Sequence, residues 1–256
     1  GANNTAVGQG CLLYNTTASN NTAIGQDSLK QNTTGTENSA LGSQALLSNT
    51  TGDANIAIGY EALDANTTGD NNTAVGRSSL GANTTANSNT AVGYYALKVN
   101  TTGADNVAVG GNSLDANTTA SNNTAVGKSS LGNNTTGGNN TGLGWGSLGQ
   151  NTTASNNVAV GYNCLGANTT GTQNTVVGAY AADAITTNND NTVIGYSALA
   201  DATGAHENVV IGVEAAKAGD TPYKAVAIGK QALFNLTAQG TIGNRLSSWL
   251  QFYNRW

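Results

Sequence analysis

A glycine returns every seventeen residues, at Gly8, Gly25, Gly42, Gly59, Gly76, Gly93, Gly110, Gly127, Gly144, Gly161, Gly178, Gly195, Gly212 and Gly229, with no insertion or deletion across fourteen copies. A fixed short period of this kind commits a chain to stacking, because one such unit is too small to bury a core without its neighbours. Each unit is numbered here from the Asn that opens Asn4-Thr5-Ala6-Val7-Gly8, so the glycine stands at position five. Position four is aliphatic in every copy, from Val7 and Ile24 to Ile228, and position nine is Leu except at Ala182 and Ala216. Position eight is always Cys, Ser or Ala, and position three is Ala except at Gly142, Val176, Val193 and Val210, so both sites accept only small or medium side chains.

The pattern has no apolar stripe at helical spacing, and its Asn, Gly and β-branched residues disfavour a helix. Short strands fit, at positions one to four, near eight to ten, and at twelve to fourteen where Asn-Thr-Thr recurs. The Gly and the run at positions fifteen to seventeen supply the turns. The expected fold is therefore all-β, a parallel β-solenoid or β-roll of fourteen 17-residue coils over residues 1–241, followed by a C-terminal segment, 242–256, that leaves the repeat. At the parallel-strand spacing such a stack forms a rod of roughly 65 to 70 Å. Asn residues at positions one and twelve then fall above one another, and stacked amides can hydrogen-bond from coil to coil. Ladders of this kind account for 38 Asn among 256 residues without any ligand.

The first strand is apolar on both faces. Positions two and four share one side and position three the other; position two is Ile56, Val107, Val158, Val209 or Val226 in five copies. Where position three grows to Val176 and Val210, position nine shrinks to Ala182 and Ala216, although Val193 stands with Leu199. Positions three and nine are accordingly assigned to the chain's own core, and positions two and four to a second wall, most simply another chain. A unit with about two large apolar residues buries little alone, and oligomerisation is the usual remedy.

Units such as Asn55-Ile56-Ala57-Ile58-Gly59 and Asn157-Val158-Ala159-Val160-Gly161 resemble the Asn-Ser-Val-Ala-Ile-Gly head repeats of trimeric autotransporter adhesins. They resemble still more the Asn-Thr-Ala-Val-Gly repeats of bacteriophage tail fibres, over residues 4 to about 241. The resemblance implies a left-handed, homotrimeric β-roll serving as an extracellular stalk or adhesive head on a virion or cell surface. The period differs from the shorter autotransporter repeat, and that family's neck and membrane anchor are not in this sequence; nor is the self-cleaving chaperone domain that often follows phage fibre repeats.

Composition narrows the function further. Charged residues make up 9% of the chain, with one His, His206, and one Pro, Pro222, so acid–base and metal chemistry have few groups to draw on. No enzyme activity and no cofactor are expected, and a polysaccharide hydrolase is disfavoured because the carboxylates are not clustered. Nine scattered Lys and Arg argue against nucleic acid, and no apolar run reaches the ~20 residues that span a bilayer. With no Met and a start inside a repeat, the chain reads as a processed product or a fragment.

Four sets of residues stand out. Position six varies freely and reads as an exposed ridge, with Tyr60, Tyr94, Trp145, Tyr162 and Tyr196 as candidates for stacking on the sugars of a cell-surface glycan or other receptor. Arg245, Trp249, Phe252, Tyr253, Arg255 and Trp256 form a candidate cap or tip, since the last coil of a solenoid must be covered. Asn15, Asn32, Asn49, Asn66, Asn83, Asn100, Asn117, Asn134, Asn151 and Asn168 each open Asn-Thr-Thr, a formal N-glycosylation acceptor, though ladder packing selects the same residues. The Thr ladder beside them also raises ice binding, against which consecutive Thr side chains alternate in direction. Finally, Cys11 and Cys164 share position eight nine coils apart, on the order of 40 Å, which excludes an intrachain disulfide. They read as small buried residues, with pairing between symmetric copies as the other reading.

The expected function is a non-enzymatic fibre or adhesin segment that holds a binding surface away from its anchor. A glycan-binding or ice-binding solenoid is the alternative.

Overall fold

The structure is a computed structural model and describes residues 1–218 and 222–235. Among these residues there is no helix, and the chain folds as a parallel β-solenoid with one short strand in each 17-residue coil. The candidate cap at 242–256, with Arg245, Trp249, Phe252, Tyr253, Arg255 and Trp256, lies outside the described residues.

Two compact units divide the chain near Thr136. In the first, eight strands follow one another: β1 (Thr5–Val7), β2 (Thr22–Ile24), β3 (Ser39–Leu41), β4 (Ile56–Ile58), β5 (Thr73–Val75), β6 (Thr90–Val92), β7 (Val107–Val109) and β8 (Thr124–Val126). In the second there are six, β9 (Thr141–Leu143), β10 (Val158–Val160), β11 (Thr175–Val177), β12 (Thr192–Ile194), β13 (Val209–Ile211) and β14 (Val226–Ile228). Within each unit every strand pairs in parallel with the next, and the register puts Thr22 against Ser39 and Val176 against Val193. A shift of exactly one period is the only register that stacks like on like, so the repeat itself sets the pairing.

Position three points into the coil and positions two and four point out, as the alternation requires. Ala23, Ala57 and Ala159 are fully buried, and so are Leu29, Leu63 and Leu165 at position nine. Val176 with Ala182 and Val210 with Ala216 share this core, and so do Val193 and Leu199, where the core holds both larger side chains without the exchange. Val7, Leu41 and Ile58 at position four remain exposed.

The expectation of three strands per coil is corrected to one. Positions seven and nine take left-handed backbone angles in residues that are not glycine, for example Glu61 (φ 53°) and Leu63 (φ 53°). A left-handed residue reverses the chain and cannot sit in an extended run. Here it swings the Leu side chain inward, where burial of about 1.5–3 kcal/mol outweighs a local strain of about 1–2 kcal/mol. Positions twelve to fourteen bend instead of extending, because Thr33 N–H, Thr34 N–H and the Thr33 hydroxyl all donate to Thr50 O, at 2.9, 3.2 and 2.9 Å. The backbone still bonds from coil to coil at these turns, as in Leu29 N–H to Ala45 O at 2.9 Å.

Position five admits only glycine for two reasons. Its φ is +133° at Gly59, outside what L side chains adopt, and a Cβ there would stand 2.7 Å from the Gly76 carbonyl oxygen of the next coil.

Candidate functional site

The expected ridge residues all reach the surface, but they separate into two groups that differ in chemistry. In the first unit, Tyr60 and Tyr94 are 46% and 47% exposed. The Arg77 guanidinium sits 5.8 Å from the Tyr60 ring centre, and the Tyr94 ring stacks on Tyr95 at 3.8 Å, with the Lys98 ammonium 3.9 Å over Tyr95. Cation–π pairing and stacking thus occupy ring faces that were expected to be free. Hydrogen bonding between the two phenols pushes the Tyr94 hydroxyl up from the ordinary tyrosine range and pulls Tyr95 down, the latter aided by Lys98. The Tyr60 hydroxyl is pushed up chiefly by its hydrogen bond with Glu61.

In the second unit Trp145, Tyr162 and Tyr196 are joined by a ring the sequence reading missed, Tyr180. Trp145 and Tyr162 stack at 4.8 Å and 13°, Tyr162 meets Tyr180 at 5.1 Å and 60°, and Tyr180 meets Tyr196 at 6.3 Å and 87°. Tyr180 occupies position seven, next to the ridge position, and its left-handed backbone (φ 55°) turns its ring back among the others. The same adjacency appears in Tyr94 and Tyr95, and that doublet was the available signal. Burial, then the neighbouring Tyr162, raises the Tyr180 hydroxyl above the usual range. Burial, the largest influence, raises the Asp183 carboxyl above the ordinary range, and the neighbouring Asp201 adds to it.

The outward face of the strands is the other large feature. In the first unit Val7, Ile24, Leu41, Ile56 and Ile58 are exposed, and in the second Leu143, Val158, Val177, Ile194, Val209, Val226 and Ile228 are. They lie in register on β1 to β4 and on β9 to β14, so each unit presents a continuous aliphatic strip.

The ten Asn-Thr-Thr asparagines face inward. Nine are buried and Asn15 is half-buried. Asn49 Nδ2 donates to Asn32 Oδ1 at 2.9 Å and to Gly52 O at 3.0 Å, and Asn66 repeats this one coil on. A glycan on these nitrogens would fill the core and break those bonds, so the folded chain does not offer them as acceptors. The ladder ends at Asn168, since Ile185 takes position twelve in the next coil, and Asn168 Oδ1 is left buried with no donor. Position-thirteen hydroxyls are committed too, as in Thr67 Oγ1 to Thr84 O at 3.0 Å, whereas position-fourteen Thr such as Thr34, Thr68 and Thr102 are exposed.

His206 packs at a turn, where its ring nitrogens lie 2.7 Å from Asn188 Nδ2 and 3.3 Å from the Asn189 backbone nitrogen. Among the described residues no group of three or more His, Cys, Asp or Glu is placed to hold a metal ion, and no helix is long and apolar enough to cross a membrane. Both cysteines are free, and each thiol is directed at a backbone carbonyl, Cys11 at Gly25 O and Cys164 at Val176 O.

No family model, curated protein or solved structure matches this chain.

Proposed function

We propose that the chain is a non-enzymatic, extracellular fibre or adhesin segment that assembles as a homotrimer on the outward face of its strands. The observation that carries this reading is the aliphatic strip at positions two and four. Contiguous apolar surface of this extent on a protein of otherwise polar surface marks an interaction site, and a repeating surface is best matched by another copy with the same repeat. The count of three, the left-handed coil and the setting on a virion or cell surface rest on the resemblance of the Asn-Thr-Ala-Val-Gly units to tail-fibre and autotransporter repeats. A stack whose coils are joined by backbone bonds and buried amide ladders is stiff along its length, which suits a stalk. Three parallel copies would present three equal surfaces, so weak single contacts add through effective concentration.

Sedimentation equilibrium tests the assembly directly. The expected mass is three times the 25.6 kDa of one chain. Ile58→Asp places a carboxylate on the exposed strip, where the single chain tolerates it, and is expected to yield monomers with unchanged far-UV circular dichroism. A stable monomer of the unaltered chain at micromolar concentration overturns the reading.

A further inference from the structure

The aromatic run of the second unit has the makings of a ligand site. Trp145, Tyr162, Tyr180 and Tyr196 come from successive coils, touch in sequence, and are each 39–52% exposed. Four adjacent rings left in water are unusual for a protein that has an aliphatic core available to it. Their orientations differ in a way that matters. Trp145 and Tyr162 lie nearly parallel and fix one another, while Tyr180 is turned 60° from Tyr162 and stands at 87° to Tyr196, so the last two rings make a right-angled corner.

Polar groups flank that corner on one side. Asn163 at position seven and Asp183 at position ten are half-buried, and Asp183 is near enough to the Tyr180 hydroxyl to help raise its pKa. One coil earlier, position seven is Gly146, and a side chain added there would meet only Asn163 Oδ1, at 3.6 Å. Position ten is Gly149 and Gly166 in the two coils before Asp183, and the Asn163 side chain lies over Gly166, where an added Cβ would run into it. A wall of rings, open space at Gly146 and two planar polar groups are the elements that accept a sugar: flat apolar C–H faces lie against rings, and adjacent hydroxyls pair with amide and carboxylate oxygens.

Charge selects the kind of sugar. Asp183 places negative charge beside Tyr180, with Asp201 close to Asp183, and the nearby cation Lys217 is already paired with Glu214 at 3.2 Å. Sugar acids are therefore disfavoured. The first unit is the contrast, since there Arg77 and Lys98 cover the rings.

We propose that the Tyr180–Tyr196 corner, with Trp145 and Tyr162 extending it and Asn163 and Asp183 beside it, binds a neutral pyranose oligosaccharide. This deepens the adhesive half of the proposed function and rests on that reading. A shallow site of this kind binds weakly per copy, and repetition in an assembly raises its hold.

The test is calorimetric titration of the full chain with cellohexaose, chitohexaose, mannohexaose and galactohexaose, and with oligogalacturonate as the acidic counterpart. Saturable binding of at least one neutral oligosaccharide is expected. Tyr180→Asn and Tyr196→Gln should each weaken it at least tenfold, roughly one factor of ten per 1.4 kcal/mol of lost contact. Both replacements already occur at their positions elsewhere in the chain, Asn163 at seven with φ 47° and Gln26 at six, so the coil keeps its fold. Tyr94→Gln in the first unit should change nothing. The proposal is overturned if no neutral oligosaccharide binds at up to about 10 mM, if Tyr180→Asn binds as well as the unaltered chain, or if only oligogalacturonate binds. A trimer that ignores every sugar sinks this proposal and leaves the stalk standing, whereas a sugar-binding monomer does the reverse.

Discussion

Asn38 and Asn49, eleven residues apart in one coil, donate their side-chain amides to the same acceptor, the Gly52 carbonyl oxygen, at 2.8 and 3.0 Å. The arrangement recurs with Asn72 and Asn83 on Ala86 O, and with Asn157 and Asn168 on Gly171 O. Position one and position twelve thus close each coil across its interior, while their oxygens accept from the coil above. The Asn columns are therefore more than ladders along the stack: they are also clamps within each rung.

Removing one clamp should be costly. Asn49→Ala leaves Asn32 Oδ1 buried without its donor from the next coil and deprives Gly52 O of one of two donors, a loss of about 2–4 kcal/mol. Asn38→Ala should cost a similar amount. Because the two share an acceptor, the double variant is expected to lose less or more than the sum by at least about 0.5 kcal/mol. Urea denaturation of the four proteins measures the coupling, and strict additivity would show that the shared acceptor has no energetic role.

Much of this organisation is legible in the sequence. The period fixes the register, and the small residues at position three with Leu at position nine mark the interior, as buried Ala57 and Leu63 show. What the residues do not announce is the left-handed backbone at Leu63 or Glu61, because neither is a residue type that favours it. That conformation turns the expected second strand into a bend. It also explains why Tyr180 was missed: a ridge traced at one position per coil overlooks a neighbour whose reversed backbone returns its ring to the same surface.

The same backbone feature offers a stabilising change. Ala54 at position seventeen has φ 56°, where an alanine is strained, and other coils place Asn there, as Asn71 with φ 59° and Asn122 with φ 63°. Asn tolerates this region better than any residue but glycine. Ala54→Asn is expected to raise the unfolding free energy by about 0.5–1 kcal/mol. A denaturation midpoint unchanged or lowered would show that the strain at Ala54 is already relieved.

Acidity should also affect stability, in a direction opposite to the common one. Burial, reinforced by the nearby Glu61, pushes the Asp64 carboxyl up to about 6, and burial raises Asp115 and Asp183 in the same sense. A carboxyl whose folded value exceeds its unfolded value, ~3.9, binds more protons in the native state, so the native state loses stability as pH rises through that interval. Asp64→Asn removes the effect. The variant is expected to be more stable than the unaltered chain above pH ~6, by about 1 kcal/mol after allowance for solvent screening of a half-exposed group, and equal to it below pH ~4. Thermal melts of both proteins from pH 4 to 7.5 decide the matter, and a constant difference across that range would contradict the shift.

The two cysteines should differ sharply toward thiol reagents although they occupy the same position of the repeat. Cys11 is half-buried, while Cys164 is fully buried with its thiol directed at Val176 O at 3.3 Å. Burial pushes the Cys164 thiol up to about 12. At pH 8 a thiol with that value is ionised in only about one molecule in 10,000, against about a quarter for an ordinary cysteine, and the thiolate is the reacting species. Access and ionisation therefore act together. Ellman's reagent on the native chain should titrate one thiol promptly, and a second only when denaturant opens the coils. Peptide mapping with iodoacetamide should place the early label on Cys11. Prompt labelling of Cys164 in the folded protein would mean that the coil around position eight opens far more readily than its packing implies.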